Sequence, residues 1–313
     1  MLETDTSIGI DLGGTSIKYA VIRGTGEIIW ESRKPTMAEL SKDEVLQNII
    51  DCAREARDHA EHGGLSPLCI GIGSPGLVDI ETGVIKGGAP QLPDWNDVRM
   101  GSIISGAMDL PAFVDNDANM MGFGESVFGG THRSKNMIFL TIGTNIGGAI
   151  IINGELYRGN NYAGSELGAI PMNFDGQTAF WEEFASTGAM VRRYKERIGD
   201  KNPKDQIDGL YIFTRLKEND EIAKEVVDEN AYRIGFGVAG YINIFNPEMV
   251  VIGGGVSEAG EFYIEKIRKS ALDLAMDECS EGVVIRAATL GNKAGFLGAG
   301  YFAIEQERKS RID

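Results

Sequence analysis

Apolar and polar positions in this chain follow two periods in turn. Over residues 7–13 and 16–22 the apolar positions form two runs that read as strands, meeting at the turn Asp11-Leu12-Gly13-Gly14-Thr15. A third strand is predicted at 27–34. From 41 to about 61 the spacing becomes helical, with Val45, Ile49, Cys52, Ala53 and Ala56 on one face. Residues 67–76 read as a buried strand that runs into a glycine–proline loop. Residues 111–119 read as another strand, ending in carboxylates, with a helix behind it to about Phe128. This order of strands and helices predicts a mixed α/β sheet.

The second half opens on 136–156, and this stretch repeats the first. Ile8-Gly9-Ile10-Asp11-Leu12-Gly13-Gly14-Thr15 parallels Ile138-Phe139-Leu140-Thr141-Ile142-Gly143-Thr144, each an apolar strand entering a Gly-Thr turn before a second apolar strand. An offset of about 130 residues is the scale of a domain rather than of a solenoid repeat. It predicts two related α/β domains, 1–117 and 118–292, that face each other across a ligand cleft, each offering it one glycine hairpin. Further helices are expected at 179–198, 219–245, 258–277 and 292–309, and strands at 249–256 and 282–288. The last segment, 293–313, is expected to pack back on the first domain.

Charge and composition narrow the partners. The 313 residues suffice for two domains of ordinary size. Lys and Arg total 30 against 46 Asp and Glu, a net charge of −16. Such a field repels phosphate backbones and anionic lipid, which argues against nucleic acid or a membrane surface as the main partner. It still admits a nucleotide, which arrives with a cation and meets local dipoles. No apolar run reaches the roughly 18 residues that span a bilayer, and MLETDTSIGIDLGG lacks the basic start of a signal peptide. Cys52, Cys69 and Cys279 have no CxxC spacing and are expected as reduced thiols of a cytoplasmic protein. His59, His62 and His132 have no zinc-ligand spacing.

Three chemistries compete for the glycine turns. The P-loop pattern GxxxxGK[ST] is absent. A dinucleotide fingerprint occurs at Gly71-Ile72-Gly73-Ser74-Pro75-Gly76, but Pro75 breaks the turn and the following LVDIETGV does not start a helix. The third is a polyphosphate held between two hairpins. Glycine turns expose backbone N–H groups, Thr15 and Thr144 add hydroxyl donors, and Asp11 holds a magnesium ion through water. One such loop alone reads equally well as a tight hairpin; two in parallel halves favour phosphate.

DLGGTSIK, GIGSPG, VDNDANMMGFGE, IGTNIGG, AGSELG, NPEMVVIGGGVSEAG and AGFLGAG then resemble, in order from about residue 8 to 304, the successive motifs of the ROK family of sugar kinases and repressors. That family belongs to the actin-like ATPase superfamily alongside hexokinase. The resemblance implies two ribonuclease H-like domains with ATP, magnesium and a sugar in the cleft. It makes Asp117 the general base, accepting the proton of a sugar hydroxyl as the O–P bond forms, and gives Asn116 the task of orienting the sugar. By spacing alone Asp115, Asp117 or Asn119 serves equally well as a helix N-cap. Glu166 matches a carboxylate that binds sugar hydroxyls. Glu182, four residues before Ser186, matches another, with Glu183 as the alternative by a slip of one. Gly76 joins the substrate-binding residues. Gly253, Gly254 and Gly255 would line the adenosine pocket, while Gly13, Gly14, Thr15, Gly143 and Thr144 would meet phosphate. Lys18 receives no role.

Two departures stand out. Where the family has Glu-x-Gly-His, this chain has Glu166-Leu167-Gly168-Ala169. Where the family has Cys-x-Cys-Gly-x-x-Gly-Cys before Glu182, this chain reads PMNFDGQTAFWEE. No zinc is therefore expected, and Phe174, Phe180 and Trp181 are expected to hold the loop by packing. Losing the imidazole removes a polar contact of about 1–3 kcal/mol and frees volume for a substituent on the sugar. The expected activity is transfer of the γ-phosphoryl group of ATP to a hydroxyl, the 6-hydroxyl, of a hexose such as glucose. A β-glucoside, disaccharide or N-acylhexosamine is the alternative acceptor, and a non-catalytic sugar sensor the alternative of another class. A repressor is not expected, since the phosphate loop begins at Asp11 and the net charge is −16. The family implies a homodimer or higher homo-oligomer.

Overall fold

The computed structural model of the chain describes residues 4–130, 133–199 and 207–311. They form two units, Met1–Arg133 with Leu156–Gly164 and Asn292–Asp313, and Ser134–Glu155 with Ser165–Gly291.

The first unit begins as an antiparallel meander of β1 (Thr6–Leu12), β2 (Ser16–Arg23) and β3 (Ile28–Pro35). Ser41 opens α1 (Lys42–His62) through a reciprocal capping box with Glu44. The buried face of α1 carries Val45, Ile49, Cys52, Ala53 and Ala56, as its periodicity predicts. β4 (Ile70–Ser74) runs parallel to β1. A small hairpin of β5 (Leu77–Asp79) and β6 (Val84–Gly87) follows, and then α2 (Met100–Met108). Nothing in the sequence pattern announces α2, because MGSIISGAM lacks the charged face that would mark a period, and no side chain caps it. β7 (Ala112–Asn116) pairs with β4 and stops where α3 (Asp117–Phe128) starts, three residues before the expected end of the strand. The sheet order is β3-β2-β1-β4-β7. At its centre β1 buries all 7 of its residues. Ile8, Ile10 and Leu12 each contribute about 1.5–3 kcal/mol by that burial.

The second unit repeats this plan. β8 (Met137–Ile142) and β9 (Ile146–Ile152) form a hairpin, with β10 (Glu155–Leu156) beside β9. β11 (Pro171–Phe174) and β12 (Gln177–Phe180) make a separate ribbon. The helix expected over 179–198 is two helices, α4 (Trp181–Ala185) and α5 (Thr187–Ile198). Ser186 takes an extended conformation between them and caps the second with its hydroxyl. There follow α6 (Gly209–Lys217), α7 (Glu221–Phe245), β13 (Met249–Gly253), α8 (Glu261–Leu274), α9 (Asp277–Ser280) and β14 (Val284–Ala287). The sheet order β10-β9-β8-β13-β14 has β8 where the first sheet has β1 and β13 where it has β4. The repeat visible at the two hairpins is thus a repeat of whole sheets.

α10 (Ala294–Ser310) returns to the first unit and lies on β1, β4 and α3. The approach is backbone to backbone. A Cβ on Gly71 would lie 1.8 Å from the Ala299 carbonyl oxygen, and one on Gly298 1.9 Å from that of Met120. The same packing assigns α3 to the first unit, whereas the boundary drawn at 117 had put it in the second; Gly124 abuts the Ala294 carbonyl of α10. No helix among the described residues is long and apolar enough to cross a membrane.

Candidate functional site

The β1–β2 turn is held from within and from outside. Gly13 N donates to Ser16 O at 3.0 Å. The Thr36 hydroxyl donates to Gly13 O at 2.6 Å, and the Thr36 amide donates to Thr15 O at 3.0 Å. Gly13 and Gly14 are half-buried and Thr15 is exposed. Asp11 is 7% exposed. It lies against the first turn of α10, where a Cβ on Gly295 would come within 2.5 Å of its carboxyl carbon. Lys18, opposite Asp11 in the register, has Nζ 3.6 Å from Oδ2 and donates to Asn292 Oδ1 at 3.0 Å. Burial pushes the Asp11 carboxyl above its ordinary range, and the charge of Lys18 only partly opposes this. No three His, Cys, Asp or Glu among the described residues gather as a metal cage. A single carboxylate beside a glycine turn does fit magnesium, which keeps several waters and takes its remaining ligands from phosphate.

The joint between β7 and α3 carries the carboxylate singled out as base. The cap is Asn116, not one of its three neighbours: its Oδ1 accepts from Asn119 N at 3.1 Å, and its Nδ2 donates to Gly76 O at 3.0 Å. Gly76 needs to be glycine here, with φ +100° and room for no Cβ, which would meet Gly87 O at 2.5 Å. Asp117 is the first helical residue, half-buried, and its Oδ1 accepts from Ala118 N at 2.9 Å. Asp115 is buried behind the joint and accepts from Arg158, 43 residues on in the chain.

In the second unit the β8–β9 turn is fixed by α5. Gly143 O accepts from Thr187 N at 2.8 Å, and a Cβ on Gly188 would meet Thr144 O at 2.6 Å. Thr144 is exposed. Gly254, at φ +78°, lies against the same turn, since a Cβ there would come 2.5 Å from Ile142 O; Gly255 is open. Glu182 reaches the start of β9, where Oε2 accepts from Ile146 N at 3.1 Å. Its neighbour Glu183 instead faces backwards, Oε1 accepting from Phe180 N at 3.3 Å. Glu166 has its carboxyl pushed upward first by partial burial and then by the charge of Glu182, so the two acids share one neighbourhood. The solvent-exposed part of Glu166 moderates that shift.

The ribbon before Glu182 is held by an arginine as well as by rings. Phe174 meets Phe184 edge-on at 5.1 Å, and Arg233 lies 5.1 Å over the Phe174 ring while its Nη2 is 3.0 Å from Asp175 Oδ2. Trp181 is fully buried and donates from Nε1 to Arg233 O at 2.8 Å. Phe180 does not take part: at the N-cap of α4 it is 48% exposed. Thr36, Arg158, Gly188 and Arg233 escaped the sequence reading, because each acts across a separation that no local spacing reports.

The pattern that defines the ROK family matches residues 7–306. The chain is 34% identical to the glucokinase of Halalkalibacterium halodurans, over 96% of this chain and 95% of that protein. It is 33% identical to the xylose repressor of Caldicellulosiruptor bescii, over 93% of this chain and 76% of the repressor. Among solved structures, a ROK family glucokinase of Streptomyces griseus in complex with glucose and AMPPNP aligns with a TM-score of 0.80 at 31% identity, covering 96% of this chain and 99% of that one.

Proposed function

This chain belongs to the ROK family, and from that premise we propose how it works as an ATP:hexose phosphotransferase. The enzyme transfers the γ-phosphoryl group of ATP to a hexose hydroxyl, in keeping with its glucokinase relatives and the glucose and AMPPNP complex. The observation that carries the catalytic assignment is the β7–α3 joint. Asn116 takes the cap, and Asp117 offers a carboxylate in the first helical turn beside it. Asp117 is the general base for the acceptor oxygen, which is the 6-hydroxyl of the sugar.

Asn116, Gly76, Glu166 and Glu182 hold the sugar. Two neighbouring carboxylates repel each other, and sugar hydroxyls donating to both relieve that repulsion. Gly13, Gly14 and Thr15, with Gly143 and Thr144, meet the phosphates of ATP, and Gly253, Gly254 and Gly255 the adenosine. Asp11 would hold magnesium through water, and the ion would supply neutralising charge to the phosphate oxygens. The ribbon before Glu182 works without zinc, held by Phe174, Trp181 and Arg233. Ala169 leaves room for a sugar bearing a substituent. The protein is cytoplasmic and self-associates through the second unit, where Tyr232, Phe236 and Ile244 are exposed along α7.

ADP release across hexoses, N-acylhexosamines and β-disaccharides tests the activity and its acceptor. A sensor would bind sugar and ATP and release no ADP. Asp117→Asn is expected to lower turnover by about 1,000-fold or more while ATP affinity stays within about two-fold. Unchanged turnover in that variant removes the base assignment.

A further inference from the structure

We infer that Arg158 is a positioning residue for the β7–α3 joint and, through Asp115, for the carboxylate of Asp117; this rests on the reading of Asp117 as base. Asp115 is 1% exposed and immediately precedes Asn116 and Asp117. Its two oxygens share three partners. Oδ1 accepts from Asn116 N at 2.7 Å and from Asn119 Nδ2 at 3.0 Å, so it grips the joint from the strand side and from the helix side. Oδ2 accepts from Arg158 Nε at 2.8 Å and lies 2.7 Å from Arg158 Nη2.

Arg158 is itself fixed on two further sides. Nη1 donates to Leu156 O at 3.2 Å, and Cζ lies 5.4 Å from the centre of the Phe302 ring of α10. It sits on Leu156–Gly164, a segment that leaves the residues of the second unit in sequence and packs with the first. The segment therefore delivers one cation to the one buried carboxylate that shapes the catalytic turn.

The physical consequence follows from burial. An ionised carboxylate removed from water needs a cation and hydrogen-bond donors. With Arg158 gone, the buried Asp115 loses its cation and turns toward water, and Oδ1 loosens its hold on the Asn116 amide. Asp117 follows Asn116 in the chain, so its carboxylate shifts with it. A lysine supplies charge without the planar fork that meets one oxygen from two nitrogens.

Arg158→Met keeps an apolar stem over Phe302 and removes the charge. It is expected to lower kcat for hexose-dependent ADP release by about 10–100-fold and to leave the KM for ATP within about two-fold. Arg158→Lys is expected to recover part of kcat. The pair Asp115→Asn with Arg158→Met is expected to be no slower than the slower single variant, because the two residues act as one unit. The inference is overturned if Arg158→Met keeps wild-type kcat. It is also overturned if kcat falls only in proportion to the folded fraction, read from a urea transition. Should Arg158→Met not fold, Arg158→Lys decides: reduced kcat at unchanged KM for ATP supports the role, and wild-type kcat removes it. Turnover that survives Asp117→Asn removes both the base reading and this one, whereas lost turnover there with full kcat in the Arg158 variants removes this one alone.

Discussion

At Asp11 burial and charge pairing pull in opposite directions. Its carboxyl has a raised pKa because burial disfavours the charged form, and Lys18 offsets this only in part. A raised pKa in the folded state means that the fold binds the proton more tightly than the unfolded chain does. Ionised Asp11 therefore costs stability at neutral pH, and that cost fades as pH falls through the raised value. Asp11→Asn is expected to raise stability at pH 7 by about 0.5–2 kcal/mol, with a gain that shrinks as pH falls, while turnover falls at least about 100-fold. Thermal unfolding from pH 5 to 8, alongside ADP release, checks both halves. At this same scale the joint at Asn116 reads differently in sequence and in space. Three neighbours shared the expectation of capping α3, yet Asn116 caps it, because Asp115 is spent inside the sheet on Arg158 and Asn119.

At the scale of elements, the glycine pattern of β4 has a structural use that its spelling disguises. Gly71 opens a stretch spelled like a dinucleotide fingerprint, but its missing side chain serves α10, whose Ala299 carbonyl would stand 1.8 Å from a Cβ there. Gly71→Ala is expected to destabilise the protein by about 1–3 kcal/mol or more through overpacking, read as a lower urea midpoint. Gly106→Ala provides the opposite sign. Gly106 lies within α2, a Cβ there meets nothing within 4 Å, and a gain of about 0.5–1 kcal/mol is expected. The two breaks in expected elements have equally local causes. Ser186 divides 179–198 because its extended backbone and capping hydroxyl start a new helix, and α2 hides because its face toward solvent carries no charge.

For the whole molecule, the two sheets share one strand order, and each presents its first hairpin turn with an exposed threonine, Thr15 in one and Thr144 in the other. A chain of net charge −16 holds a polyanion only if the anion brings cations and meets backbone donors. ATP with magnesium, at about 100 times its Kd, is expected to raise the apparent melting temperature by about 3–5 °C. Chelation of magnesium is expected to remove most of that shift, and Asp11→Asn to make the remainder insensitive to chelator. A shift of full size in the presence of EDTA would contradict the role given to Asp11.

What the amino-acid order determined by itself is whatever depends on neighbours in the chain. The apolar runs specify β1, β2, β8 and β9, the 3.6-residue period specifies the buried face of α1, and the repeated Gly-Thr turns specify a duplicated α/β plan. That carboxylates stand at a strand-to-helix joint was legible for the same reason, whereas the choice of Asp117 among them came from the family resemblance and is a proposal. Tertiary structure alone decided which unit claims α3 and α10, why Gly71 and Gly298 lack side chains, and that Arg158 answers the charge of Asp115. Those outcomes rest on backbone contact and charge pairing between segments far apart in the chain, and no periodicity along one segment encodes what another will bring to it.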